Sequence, residues 1–405
     1  MENIRNITES IIWVGASDRR IQRFENMFPL TQGVSYNSYL IVDEKTALLD
    51  TVDSAVTEQY LENVHAGLDG RSLDYLIVHH MEPDHCRNIV SILNSYPEAK
   101  LVGNAKTFSF FEQFYSDHYT DRYHLIKEND TLNLGNHELQ FMMAPMVHWP
   151  EVFTSYEKHN KIWFTADAFG TFHALNGNIF TSEVDVKHDW MDEYRRYYVN
   201  IVGKFGAQVQ MLFKKVADLE IKMIAPLHGP IINDEENLKL LLDKYDRWSK
   251  YQPEQQGIVL VYASMYGNTE QAVQIIASRL ADRGVKSIEI FDVSHTHSSH
   301  IIAQAHRFSH ALFTALTYNT GLYHEMAHLV ENLIDTGYSN RTVALLTNLS
   351  WGSKAEQQLR DLLAKGKNIS ILEDTMTIKS ALKEDQMESL NQLATALANS
   401  ILGDK

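Results

Sequence analysis

The sequence predicts an α/β protein of two domains, and changes of rhythm along its 405 residues say so. From Gly257 onward, apolar strand-like runs alternate strictly with helical patterns. That alternation implies a doubly wound parallel sheet with helices on both faces. Before that point, short apolar runs end in loops rich in histidine and acids, the usual way rigid strands present a site. Between the halves lies Gln252-Pro253-Glu254-Gln255-Gln256-Gly257, polar and punctuated, so the domains are read as 1–252 and 253–405.

In the first half the expected strands are Tyr36 to Val42, Thr46 to Leu49, Leu73 to Val78, His137 to Met143, Lys161 to Thr165 and Ile221 to Ala225. Most of them deliver a polar side chain at the C-terminal end. Asn237 to Tyr251 reads as a helix with an apolar face of Leu238, Leu240, Leu241, Leu242 and Tyr245. In the second half, strand Gly257 to Ala263 precedes helix Glu270 to Arg283, and strand Ser287 to Val293 precedes helix Ser299 to His306. Strand His310 to Leu316, helix Glu325 to Asp335, strand Thr342 to Leu346, helix Lys354 to Ala364, strand Asn368 to Leu372 and a long C-terminal helix complete the series.

Composition excludes several classes. A formal net charge of -16 disfavours nucleic acid and anionic membrane surfaces as partners. The single cysteine, Cys86, forbids a disulfide within the chain and any Cys-ligated zinc or iron–sulfur centre. No run approaches transmembrane length, and the acidic N-terminus is unlike a signal peptide, so a cytoplasmic location is expected.

The run His79-His80-Met81-Glu82-Pro83-Asp84-His85 carries the chemistry. In an extended segment alternate residues face one way, so His80, Glu82 and Asp84 are expected to share a pocket, with His85 joining after a turn. Converging acids and imidazoles are tolerated when paired or holding a metal. His148, Asp167 and His228 follow at later strand ends. Singly each could cap a turn; together they suffice for two metals. His80, Glu82 and His148 take one ion, Asp84, His85 and His228 the other, and Asp167 bridges. Nitrogen and oxygen donors of this kind suit iron or manganese and permit zinc. His79 alternates to the other face and reads as a supporting residue. His159, His188, His295, His297 and His300 read as solvated loop histidines, and Cys86 as buried filler.

This ligand set resembles the metallo-β-lactamase-like domain of the flavodiiron proteins. Tyr36-Asn37-Ser38-Tyr39-Leu40, Asp167-Ala168-Phe169-Gly170 and Arg196-Tyr197-Tyr198-Val199-Asn200-Ile201 also resemble that family. The resemblance implies an αββα sandwich for the first domain and a diiron centre in it. Hydrolytic members of the superfamily usually carry His where this chain has Glu82. Departures are Cys86-Arg87, where the family more often has Ser-Gly, and His173.

The loop Ser264-Met265-Tyr266-Gly267-Asn268-Thr269, between a strand and a helix, resembles flavodoxin. Its N–H groups, the helix N-terminus and the polar side chains would cradle the phosphate of FMN. Thr317, Tyr318, Asn319 and Gly321 form a second loop, and Ser350, Trp351 and Gly352 a third, where flavodoxin-like folds hold the flavin. Tyr318 or Trp351 would stack on the ring, and the resemblance favours Trp351. Family glycines are missing before Tyr318 and Trp351, which restricts the backbone there.

The resemblance implies an oxidoreductase. FMN would pass electrons from an external donor to two irons, which reduce dioxygen to water or nitric oxide to nitrous oxide. It implies a head-to-tail homodimer or tetramer, so that one chain's flavin meets the other's irons. No Cys-rich extension precedes Lys405, so the donor is expected to be separate: a rubredoxin, a rubredoxin reductase-type protein or reduced deazaflavin. Tyr197 or Tyr198 is expected near the gas. The alternatives are a zinc hydrolase with a flavodoxin-like regulatory module, which Glu82 disfavours, and an electron carrier on a degenerate metal scaffold.

Overall fold

A computed structural model describes residues 2–116 and 119–403. It forms two compact units: Met1–Tyr198 with Ala207–Tyr245, and Val199–Gly206 with Asp246–Lys405. Packing therefore groups Val199–Gly206 and 246–252 with the second unit, whereas the sequence pattern groups them with the first domain. The Gly206 N–H donates to the Tyr251 hydroxyl at 3.1 Å, and Arg341 donates to the Tyr251 carbonyl at 2.8 Å. Such long-range ties are invisible to a composition boundary.

The first unit holds two large sheets and two short two-stranded ones. One large sheet runs in the order Arg5–Asn6, Ile11–Trp13, Tyr39–Val42, Thr46–Leu49, Tyr75–Ile77, Lys100–Gly103 and Tyr123–Leu125. The other runs Thr131–Asn133, Glu138–Met143, Phe153–Glu157, Ile162–Phe164 and Met223–Ala225. Thr46–Leu49 and Ile162–Phe164 are buried throughout, so they read as unbroken apolar runs rather than alternating ones. Helices Thr57–Leu68, Ala105–Phe114 and Gly206–Val216 accompany them, giving the αββα class. The expected strand from Tyr36 to Val42 is broken after Tyr36 and resumes at Tyr39. Asn37 leaves the ladder to bind the loop that carries His228: its Nδ2 donates to the Pro226 and Gly229 carbonyls at 2.9 and 2.8 Å.

The second unit is a parallel sheet in the order Ile288–Asp292, Gln255–Tyr262, Phe308–Tyr318, Arg341–Leu349 and Ile369–Ile371. Numbered along the chain that is 2-1-3-4-5, the flavodoxin-like order, with its switch point beside the first strand. Met376–Lys379 continues parallel pairing along the far end of Arg341–Leu349. Ile258, Leu260, Ile276, Leu280, Leu393 and Leu397 form one core face between the sheet and the helices Asn268–Asp282 and Met387–Leu402. Among the described residues no helix is long and apolar enough to cross a membrane.

Candidate metal centre and nucleotide cavity

Four strand ends aim the candidate ligands at one spot. Tyr75–Ile77 leads to His80, Glu138–Met143 to His148, Ile162–Phe164 to Asp167 and Met223–Ala225 to His228. The expected alternation holds only as far as Glu82, which is extended. Pro83–Cys86 then forms a helical turn with proline at its first position. Proline favours that place because its ring fixes φ and the N–H it lacks would have no helical partner. Asp84 and His85 therefore sit on a helical turn rather than in an extended alternation, and this turn carries them into a separate cluster.

That separation makes two half-sites. In one, His80 Nε2 lies 3.2 Å from Glu82 Oε2 and 3.3 Å from His148 Nε2, and both imidazoles face Asp167 Oδ2 at 3.2 and 3.3 Å. In the other, His85 Nε2 lies 3.0 Å from His228 Nε2, and each is 3.3 Å from Asp84 Oδ2. These two imidazoles face Asp167 Oδ1 at 3.3 and 3.4 Å. The two oxygens of Asp167 thus divide between the groups. Ligand bonds of ~2.1 Å put neighbouring donor atoms ~3.0–3.4 Å apart around an octahedral or tetrahedral ion, so the spacing fits two cations.

Hydrogen bonding agrees. Both Asp84 oxygens, Asp167 Oδ2 and His85 Nδ1 are buried without a hydrogen-bond partner, which is costly unless something else satisfies them. Burial pushes Glu82 and Asp167 up, yet their imidazole neighbours outweigh it and hold both carboxyls well below the usual range. Burial likewise lowers His80 and His148, yet the surrounding carboxylates raise both, His148 to about 9. Buried carboxylates packed against one another and against imidazoles in this manner call for compensating positive charge. Two metal ions meet that demand, and His80, Glu82, His148, Asp84, His85, His228 and Asp167 fit them.

Supporting residues lie behind the ligands. His80 Nδ1 donates to Glu151 Oε1 at 2.7 Å, and His228 Nδ1 donates to the Ser35 carbonyl at 2.7 Å, which leaves each Nε2 lone pair facing inward. Asp50 receives the His79 N–H at 2.7 Å and His79 Nδ1 at 2.6 Å, while His79 Nε2 meets Ser155 Oγ at 2.8 Å. Tyr197 donates its hydroxyl proton to Asp167 Oδ1 at 3.0 Å, whereas the Tyr198 ring packs on Tyr245. His173 packs against Trp190. Cys86 is buried and its thiol is pushed up to about 12, mainly by burial, which suits filler. Of the histidines expected in solvent, His297 instead caps helix Ser298–Arg307, and His300 lies within it. Sequence reasoning missed Glu151, Asp50, Ser35 and Glu25. Glu25 stands at the tip of the hairpin Arg23–Pro29 with its carboxyl against Glu82, and burial together with that charge raises it.

The second unit carries a cavity of about 380 Å³ at the C-terminal strand ends. Of the residues named from the sequence, Ser264, Met265, Tyr266, Asn268, Thr269, Thr317, Tyr318, Asn319, Ser350 and Trp351 line it, together with Leu316, Asn348, Leu349 and Ser380. Gly267, Gly321 and Gly352 are not in the lining. Gly267 instead takes φ 86° before helix Asn268–Asp282. Tyr266 is 89 % exposed and Trp351 67 %, so both rings stand open beside the cavity. A helix N-terminus on one side and open aromatic faces on the other fit a flat ring carrying a phosphate. Asn348 ties the loops together by donating to Thr269 Oγ1 at 3.0 Å.

These units define a class: a metallo-β-lactamase-like metal domain joined to a flavodoxin-like domain. Residues 34–229 match the family described as ODP family beta lactamase. The anaerobic nitric oxide reductase flavorubredoxin of Aliivibrio salmonicida is 30% identical over 367 residues, spanning 88% of this chain and 72% of that protein. The solved rubredoxin oxygen:oxidoreductase of Desulfovibrio gigas superposes with TM-score 0.90 at 23% identity over 98% of both chains. The flavodiiron protein of Giardia intestinalis gives 0.92 at 23% identity over 98% of this chain and 97% of that one. The chain belongs to the flavodiiron protein family and is an oxidoreductase.

Proposed function

We propose that this chain takes electrons from a rubredoxin-type donor through FMN and reduces dioxygen or nitric oxide at a pair of irons. The observation that carries this reading is Asp167, whose two oxygens serve two His-pair clusters. The relatives' names support the donor and the gases. When bound, the groups supply electron relay at a flavin and gas reduction at a metal pair.

The chain's own residues do the rest. His80, Glu82 and His148 would hold one ion and Asp84, His85 and His228 the other, with Asp167 offering an oxygen to each group. Three carboxylates leave two divalent ions with a single net positive charge, and their oxygens favour iron over softer ions. Tyr197 orients the bridge. Phe24 packs edge-on to His228 at 5.3 Å and to Phe172 at 5.5 Å, an apolar wall that keeps bulk water off the pair. In the second unit Ser264, Asn268 and Thr269 would receive the phosphate, and Trp351 would cover the ring. A second copy in head-to-tail arrangement is part of this reading, since it would cover the open Tyr266 and Trp351 and bring a flavin to the irons.

Metal content per chain, measured on protein made with iron and purified without oxygen, tests the reading. About two irons per chain and gas consumption driven by reduced rubredoxin are expected. Zinc in place of iron even when iron is supplied would move the site to hydrolytic chemistry.

A further inference from the structure

We infer that the two metal half-sites are built unequal, with Glu151 strengthening one and Tyr197 weakening the other. This rests on the metal-centre reading above. Glu151 is fully buried; its Oε1 accepts from His80 Nδ1 at 2.7 Å and from the Met81 N–H at 2.9 Å, and its Oε2 has no hydrogen-bond partner. A carboxylate kept that dry is costly unless positive charge compensates it. Here the positive charge is the ion on the far side of the His80 ring. A carboxylate behind an imidazole also makes its inner nitrogen a stronger donor.

The opposite half-site has no such support. His228 Nδ1 donates to a neutral carbonyl, that of Ser35, and His85 Nδ1 has no partner. Tyr197 gives its proton to Asp167 Oδ1, the oxygen that faces His85 and His228. That hydrogen bond draws electron density away from the oxygen and weakens it as a ligand. Both features act in one direction. The half-site of His80, Glu82 and His148 binds its ion more tightly, and the half-site of Asp84, His85 and His228 gives its ion up first. Glu151 and Tyr197 are positioning residues, acting through His80 and Asp167.

The test is equilibrium competition of the full-length, metal-loaded protein against a chelator, run with Fe²⁺ without oxygen and separately with Zn²⁺. The wild-type protein should show two affinities, one equivalent each. Glu151→Gln keeps the shape and the acceptor oxygen and removes only the charge. It should weaken the tighter site by about 10-fold or more, the scale known for such partners. A residue that merely filled space would leave that affinity unchanged. Tyr197→Phe should tighten the weaker site, an opposite change that misfolding cannot imitate. One shared affinity in the wild-type protein, or a tighter site untouched by Glu151→Gln, overturns the inference. Zinc that binds where iron does not would overturn the iron reading, while the two affinities for zinc would still decide this one.

Discussion

Asp167 is the residue on which the centre turns. It is 1 % exposed, and its oxygens stand in different half-sites. Asp167→Asn keeps the volume but replaces one oxygen with an amide nitrogen that cannot ligate. We expect metal content to fall from about two per chain to one or fewer, and gas consumption to fall by more than ~100-fold, since even the outer partners of ligands are worth 10–100-fold. Elemental analysis and an oxygen electrode read both; two retained irons would contradict the bridging role. Glu82 sets a second expectation. Glu82→His exchanges a hard oxygen for nitrogen, so the zinc-to-iron ratio taken up from an equimolar mixture should rise. At this scale the sequence was legible where ligands cluster, because His80 to His85 lie within one short run. It was silent on Glu151, whose partner His80 is 71 residues away and which looks like any surface acid on paper.

Elements tell a similar story with a different limit. The β–α alternation after Gly257 was legible because each element is long and apolar enough to show its period. Phe153–Glu157 and the short strands before Tyr36 were not, since their pairing rather than their residues makes them strands. One turn beside the cavity of the second unit carries backbone strain. Asn319 and Thr320 turn between Phe308–Tyr318 and Gly321–Leu322 with φ 46° and 65°. A β-branched residue is strained there, so Thr320→Gly should stabilise the second unit by about 1 kcal/mol and raise its melting midpoint. An unchanged or lower midpoint would show that Thr320 has contacts outweighing the strain.

A pH effect belongs to the same elements. His306, at the end of helix Ser298–Arg307, is held down to about 3, mainly by burial and then by the Arg341 charge. Strand residue His310 is lowered to about 4 by burial. Lowered histidines mean that the unfolded chain binds more protons, so stability is complete above the unfolded value of 6.5 and is lost as pH falls toward those folded values. For His306 the loss at pH 5 is about 2 kcal/mol. Urea unfolding of the second unit should show it between pH 7 and 5. Replacing His306 with Gln should flatten the slope, and an equal slope in that variant would assign the effect elsewhere.

At the scale of the whole molecule, the sequence pattern and the two compact units point to a division of labour. The candidate metal ligands lie wholly in the first unit, and the cavity lies wholly in the second. Each function should therefore be removable alone. Chelator-treated protein that keeps its flavin should still be reduced by the donor, seen as bleaching of the flavin absorbance, but should consume no gas. Protein stripped of flavin should keep about two metals per chain and consume no gas from the donor, while a small chemical reductant that reaches the metals directly should restore part of the turnover. Trp351→Ala lies between these extremes. Loss of a stacking ring, worth ~0.5–1.5 kcal/mol beyond area burial, should weaken FMN binding by several-fold and leave metal content unchanged. Fluorescence titration of FMN and elemental analysis on the same sample decide it. If Trp351→Ala emptied the metal centre as well, the two units would not be independent in binding their cofactors, and the order of electron flow would have to be argued from their coupling instead.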